Sequence, residues 1–251
     1  MKFTKICLLV TIALYSCGSE KRRAGDVSAT ESFGDQLPLV QNRTAIASEV
    51  LTRQLPQLPV EIVSRAACIA VMSRDSVAWG MRGTDFGAGM ISCRLEDGTW
   101  SAPSYLGLSG SELGPNIGFM NQHATFLYMP EARDRAFASS TAFGAGVYAI
   151  AGAADVQLSV DTTGCITFDL LHEHRRHCVM AFSEDFGVKA GAYVSAIRTR
   201  HLMGFLGTGT IGRNARVYGS GTSVNQILTM PASQAPSITQ PWISTLNYLA
   251  P

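Results

Sequence analysis

The sequence predicts an α+β fold in which N-terminal helices lead into a curved, mostly antiparallel, barrel-like β-sheet. Three observations predict it. Apolar residues at Ala45, Ile46, Val50 and Leu51 recur at helical spacing, ahead of Pro56 and Pro59, which end a helix. From Cys68 onward, short apolar runs alternate with turn residues, the texture of antiparallel strands. Glycines fall inside those runs, at Gly80, Gly87, Gly89, Gly118, Gly144, Gly146 and Gly191. Interior glycine predicts bulges, sharp bends or close packing of layers.

The chain opens with Lys2 and Lys5, then an almost unbroken apolar stretch from Ile6 to Ala13, then Ser16 before Cys17. A charged start, a short apolar core and a small residue before the cut predict a signal peptide over 1–16. Residues 6–16 are too few to cross a bilayer, which needs about 20. Leu14-Tyr15-Ser16-Cys17 resembles the lipobox of bacterial lipoproteins. That resemblance implies a Cys17 acylated with diacylglycerol and carrying palmitate, as the new N-terminus; an ordinary signal cut nearby is the other reading. Each buried CH₂ of such a lipid contributes about 0.8 kcal/mol to membrane attachment. Gly18, rather than Asp, after the Cys implies by the same resemblance the outer membrane, with the body facing the periplasm.

Residues 17–40 are polar and read as a flexible tether. A folded domain over 41–230 follows, then a Pro- and Ser-rich extended tail over 231–251. Within the domain, Thr44–Leu55 and Val60–Ala67 read as helices. Ile69–Met72, Val77–Met81, Gly89–Leu95, Ile117–Phe119 and Thr125–Met129 read as strands, with a tight turn at Asp97-Gly98. Pro130–Ser139 reads as a surface helix. Phe143–Ala151, Val156–Val160, Cys165–Leu171, His177–Ser183 and Val188–Ile197 read as further strands, and Asn214–Leu228 as partly helical.

Apolar content of 46% permits a real core, and a net charge of +1 creates no global field to attract nucleic acid. Sixteen of the 20 cations are Arg, whose planar fork grips phosphate with two bonds, although a GC-rich genome gives the same bias. With Cys7 removed and Cys17 acylated, Cys68, Cys93, Cys165 and Cys178 remain. They allow three connectivities in an oxidising compartment, or four reduced buried thiols. Cys68–Cys93 and Cys165–Cys178 are favoured, because each pair lies within one short stretch of adjacent strands.

Several clusters in order now resemble the SYLF-domain family. Leu58-Pro59-x-Glu61-Ile62-Val63 running to Ile69-Ala70-Val71 resembles its entry helix and first strand. Gly87-Ala88-Gly89-Met90-Ile91-Ser92-x-Arg94 resembles its glycine-punctuated strand, and Asp97-Gly98-Thr99-Trp100-Ser101-Ala102-Pro103 its turn followed by Trp-Ser-x-Pro. Gly110-Ser111-x-x-Gly114-Pro115-Asn116-Ile117-Gly118 (Asn116 where the family usually has Gln), Phe143-Gly144-Ala145-Gly146 and Asn214-x-x-x-Tyr218-Gly219 match later landmarks. The chain departs at Ser73, where the family has Pro, and at Glu184-Asp185, where it tends to be basic. The resemblance covers roughly residues 58–228 and implies a phospholipid-binding module. Fungal members also bind actin, a partner out of place for an envelope lipoprotein.

Other chemistry is weaker. His172, His174, His177 and Cys178 have zinc-ligand types, but Arg175 and Arg176 intervene, and a solvated hairpin tip fits better. Gly207-Thr208-Gly209-Thr210-Ile211-Gly212 fits G-x-G-x-x-G by letters, yet no acid follows Asp185 to hold a ribose. No Ser, His and Asp spacing assigns a triad, so no catalytic residue, cofactor or metal is expected. Trp79, Trp100, Trp242, Tyr105, Phe119 and Tyr128 could form an interfacial rim, but core packing suits most of them, Trp100 above all. Arg65, Arg74, Arg82, Arg94, Arg175 and Arg176 are the candidate headgroup contacts. The expectation is a non-catalytic, phospholipid-binding envelope lipoprotein. An adaptor holding a protein partner, or a hydrolase without a recognisable motif, are the alternatives.

Overall fold

Helix α1 (Leu37–Gln54) sets Val40, Thr44, Ala47 and Leu51 on one buried stripe, three and four residues apart. In the computed structural model, residues 37–153, 157–160, 179–203 and 212–250 are described. The signal peptide, Cys17, the tether up to residue 36, Arg175, Arg176, the His172–Cys178 segment, the Cys165–Cys178 pair and residues 204–211 lie outside them. α1 begins inside the predicted tether, because Val40 is already a core residue. A turn over Leu55–Gln57, with Pro56 near its start, and α2 (Val60–Arg65) follow, as the prolines predict.

The strands are β1 (Cys68–Cys93), β2 (Ser104–Tyr128), β3 (Ser140–Ala153), β4 (Gln157–Val160) and β5 (Val179–His201). All described pairings are antiparallel, in the order β1-β2-β5-β3, with β4 also on β5. The α+β class and the mainly antiparallel sheet are as predicted; the path is open rather than closed. The expected short strands are corrected to a few long ones. Residues 73–76, 82–88, 107–116 and 120–123, between the predicted strands, stay paired along nearly their whole length.

β1 doubles back on itself. Extended, 26 residues would reach about 85 Å. Its two ends are instead joined by the Cys68–Cys93 disulfide, with the Cα atoms 3.9 Å apart. The bend is at Gly80, whose φ of 70° suits glycine, and the pairing with β2 shifts between Gly80 and Arg82. Gly89 lets the two arms meet, since a Cβ there would overlap the Val71 carbonyl.

The end of the sheet near the disulfide is covered on both faces. Ile69, Val71, Met90 and Leu127 join α1 and a C-terminal helix, α5 (Gln240–Leu249), in the main core. Cys68, Ala70, Met72, Ile91 and Leu106 pack with Ala136 and Leu228, from the 3₁₀ segment Pro130–Phe137 and from α4 (Val224–Thr229). The first part of Asn214–Leu228 is α3 (Arg213–Tyr218). The extended tail is a correction: Pro231 and Pro236 precede 3₁₀ turns, Pro241 sits in the first turn of α5, and Trp242, Ile243 and Leu246 are buried. These prolines start helical turns instead of preventing them.

The Trp-Ser-x-Pro segment is a structural junction. Trp100 Nε1 donates to the Ala250 carbonyl at 2.9 Å, and Arg94 lies over its ring at 4.4 Å. Ser101 Oγ accepts from the Cys93 amide at 2.9 Å, and the Pro103 carbonyl accepts from the Tyr218 hydroxyl at 2.6 Å. His201 is a second tie. Its Nε2 meets the Ala136 carbonyl at 2.8 Å, so Nε2 carries the proton and donates; Nδ1 then accepts from Ser104 Oγ at 2.7 Å. Burial lowers the His201 pKa, opposed by the bond to Ala136.

Two outcomes follow. Replacing both Cys68 and Cys93 by Ala should lower stability by about 3 kcal/mol, the loop entropy released to the unfolded chain, read by denaturant titration without reductant. Below the ordinary imidazole value of 6.5 the unfolded state takes up a proton that folded His201 refuses. Stability should therefore fall as pH drops through 6.5 and on toward the lower folded value, and His201→Gln should flatten that slope in melts across pH.

Candidate functional site

At the bend, the sheet is inverted in polarity. Successive strand residues point to opposite faces, so one inward residue sends its neighbours outward. The inward row holds Ser76, Asp85, Glu112, Asn116 and Lys189, all buried. Glu112 is its hub. Lys189 Nζ donates to Glu112 Oε2 at 2.6 Å and also bonds the Ser76 hydroxyl. Arg74 donates to Asp85 Oδ1 at 2.7 and 3.0 Å and reaches Glu112 Oε1 at 3.3 Å. Asn116 Nδ2 donates to Glu112 Oε2 at 3.2 Å. Gly83, opposite Glu112 in the register, leaves the space the carboxylate fills. Two cations and two carboxylates balance, at 1% exposure for Lys189, Glu112 and Asp85 alike.

The outward row is apolar. Trp79 is 80% exposed, and Val77, Met81, Leu113, Ile117, Phe119, Phe186, Val188 and Val194 are each at least half exposed. They are cross-strand neighbours: Val77 pairs with Phe119, Trp79 with Ile117, Phe119 with Val188 and Leu113 with Val194. The result is a continuous apolar collar over three strands, outside an ionic interior. Contiguous exposed apolar surface of this kind marks an interaction site.

The six predicted arginines do not converge. Arg65 is exposed on α2 and Arg82 is exposed at the bend, on the margin of the collar. Arg74 belongs to the buried ion set. Arg94 bonds the Gly98 and Ala250 carbonyls at 3.2 and 3.0 Å and stacks on Trp100. Arg175 and Arg176 lie outside the described residues. The acids at Glu184-Asp185 are engaged: Glu184 accepts from Arg53 at 2.7 Å, and Asp185 from Gln122 at 2.8 Å. The aromatics divide, with Trp100, Trp242 and Tyr105 in the core and Trp79 and Phe119 on the collar. Sequence reasoning missed Val77, Met81, Leu113, Ile117 and Val188 as surface residues. The available signal was Val77-x-Trp79 and Ile117-x-Phe119, apolar residues two apart around small ones. Among the described residues no helix is long and apolar enough to cross a membrane, and no His, Cys, Asp and Glu group could hold a metal.

The chain is similar to Protein YSC84 of Saccharomyces cerevisiae, 29% identical over 151 residues, which cover 57% of this chain and 30% of that protein. It is also similar to LAS seventeen-binding protein 3 of two strains of the same yeast, 25% identical over 189 residues, covering 72% of this chain and 36% of the relative. Both are SYLF-domain proteins, the family its motifs resemble. The chain thus spans about a third of the length of these relatives. No family model and no solved structure matches it.

Removing one member of the buried set should cost far more than removing two. Lys189→Met leaves buried Glu112 with only the longer contact to Arg74 at 3.3 Å and should cost about 3–5 kcal/mol. Lys189→Met combined with Glu112→Leu should recover much of that loss. A double-mutant cycle by chemical denaturation reads the coupling.

Proposed function

We propose that this chain is a non-catalytic, phospholipid-binding protein of the bacterial envelope, which meets the membrane through the apolar collar. One observation carries the reading: at the bend the apolar residues face out and the ions face in. Lipid-facing strand surfaces have that polarity. Water-facing strands over a single core have the reverse. Each half-exposed collar side chain gains about 1 kcal/mol on entering an apolar phase, so it takes nearly the whole collar, about 8 kcal/mol, to reach micromolar binding. Trp79 at the bend suits the interface, and Arg82 beside it suits a headgroup phosphate. An acylated Cys17 would hold the body close to that surface, at the periplasmic side of the outer membrane. The likeness to SYLF-domain relatives supports the same reading.

A second reading is a protein partner in the envelope. It is supported by the name of one relative, LAS seventeen-binding protein 3. A partner with an apolar groove would cover the same collar.

Flotation separates the two. The full chain carrying Cys17→Ser, which removes the proposed acylation, is mixed with phosphatidylcholine vesicles, with and without phosphatidylglycerol, at two salt concentrations. It should float with vesicles, and Trp79 emission should shift to the blue. Trp79→Glu with Phe119→Glu should abolish flotation and leave the melting temperature nearly unchanged, since both side chains are exposed. A parent chain that floats with no vesicle overturns the lipid reading and leaves the protein partner.

A further inference from the structure

The bend divides the sheet into two arms, the first carrying Val77 and Phe119 and the second Thr84 and Leu113. The margin of the collar differs between them. On the first arm, the row next to Val77 and Phe119 holds Asp75 and Asn121, and Asn121 donates to Asp75 at 2.7 Å. The row after it holds Ser73, His123 and Glu184. The end of α1 closes this margin: Arg53 donates to Glu184 at 2.7 Å, and Gln54 donates to the His123 carbonyl at 2.8 Å. The first-arm margin therefore carries acids and is taken up by a helix.

On the second arm the collar ends at the pair Leu113 and Val194. Thr84, Ser111 and Ala196 form the next row, and Phe86, Ser109 and Arg198 the one after it. Arg200 follows, opposite Gly107. Arg198 and Arg200 stand at even spacing from Val194, which sets both on the collar face. Thr84, Ser109, Ser111, Arg198 and Arg200 are all exposed. The register partners of the two arginines are Ser109, Thr141 and Gly107, none of them an acid. Away from the bend, this face passes from apolar side chains to hydroxyls and then to guanidinium groups. Each row is a step of about 7 Å, so Arg198 lies roughly 13 Å from Val194 along β5. A phospholipid presents the matching order: acyl chain, ester oxygens, phosphate.

We propose that Arg198 and Arg200 are the headgroup site of the membrane-bound protein and select bilayers of anionic phospholipid. Ser109, Ser111 and Thr84 add hydrogen bonds to the phosphate and ester oxygens. The inference rests on the membrane reading and deepens it. The collar attaches the protein to any bilayer, and the two arginines supply the preference for negative charge. It is the second arm, not the acid-bearing first arm, that faces the headgroups. Two guanidinium forks about 7 Å apart on one strand face each match a pair of phosphate oxygens, and their long apolar stems reach past the hydroxyl row.

The test titrates the full chain carrying Cys17→Ser with phosphatidylcholine vesicles, with and without phosphatidylglycerol, at low and high salt. The bound fraction is read by flotation. The parent should bind vesicles containing phosphatidylglycerol roughly tenfold or more tightly than phosphatidylcholine alone, and high salt should shrink the difference. Arg198→Gln with Arg200→Gln should remove most of that preference and leave binding to phosphatidylcholine unchanged. Its melting temperature should match the parent's, since both side chains are exposed. Arg65→Gln removes an exposed charge on α2 and should leave the preference intact, which separates a local site from net charge. Equal binding of the parent to neutral and anionic vesicles overturns the arginine site and leaves the collar standing. So does a double variant that keeps the full preference, or an Arg65 variant that loses as much. A parent that floats with no vesicle fails the membrane reading itself, and this inference with it.

Discussion

Glu112 is the constraint on which the bent end of the sheet depends. It takes Lys189 from β5, Arg74 from the first arm of β1 and Asn116 from its own strand. Asp85, on the second arm, completes the set through Arg74. A carboxylate at 1% exposure is tolerable only with its cations in place, so these four segments are held at one spacing. The disulfide closes β1 at its other end. Between them, the two arms have little freedom to part.

The collar is a geometric consequence of that interior. With Lys189 inward, Val188 must face outward; with Glu112 inward, Leu113 must; with Ser76 inward, Val77 must. A buried ion set of this kind adds little stability over a well-packed apolar one. Its effect is on facing: slipping any strand by one residue would bury Phe119 or Val188 but would turn Lys189 and Glu112 out of their bonds. The ions hold an apolar surface in water that packing alone would draw inside.

The sequence makes the helices and the edges of the strands legible, because proline, glycine and apolar period act locally. It conceals the length of β1 and β2. Asp75, Ser76 and Thr84 fall between the short apolar runs, yet they are strand residues here, and Asp75 and Ser76 are bonded to partners far along the chain. The faces are concealed for the same reason. Val77-x-Trp79 alternates visibly, but which side is interior depends on Glu112 and Lys189, which are 36 and 113 residues from Ser76. The surroundings of the candidate arginines were not legible either, because their partners are set by distant parts of the chain. Arg94 is taken up by Trp100 and the Ala250 carbonyl, and Arg74 by Asp85.

The two ends of the sheet therefore serve different physical purposes. Near the disulfide, apolar layers on both faces and the junction of Trp100 with Ala250 supply the stability. The bend is covered on one face by nothing described, and it keeps its shape through ions and a glycine turn instead. This division lets the collar change without loss of the fold: an exposed side chain such as Trp79 touches little that the helix-covered core needs. A surface whose composition is free of the core is one that binding can shape. The interior beneath it is fixed by charge, which is why the collar stays outward.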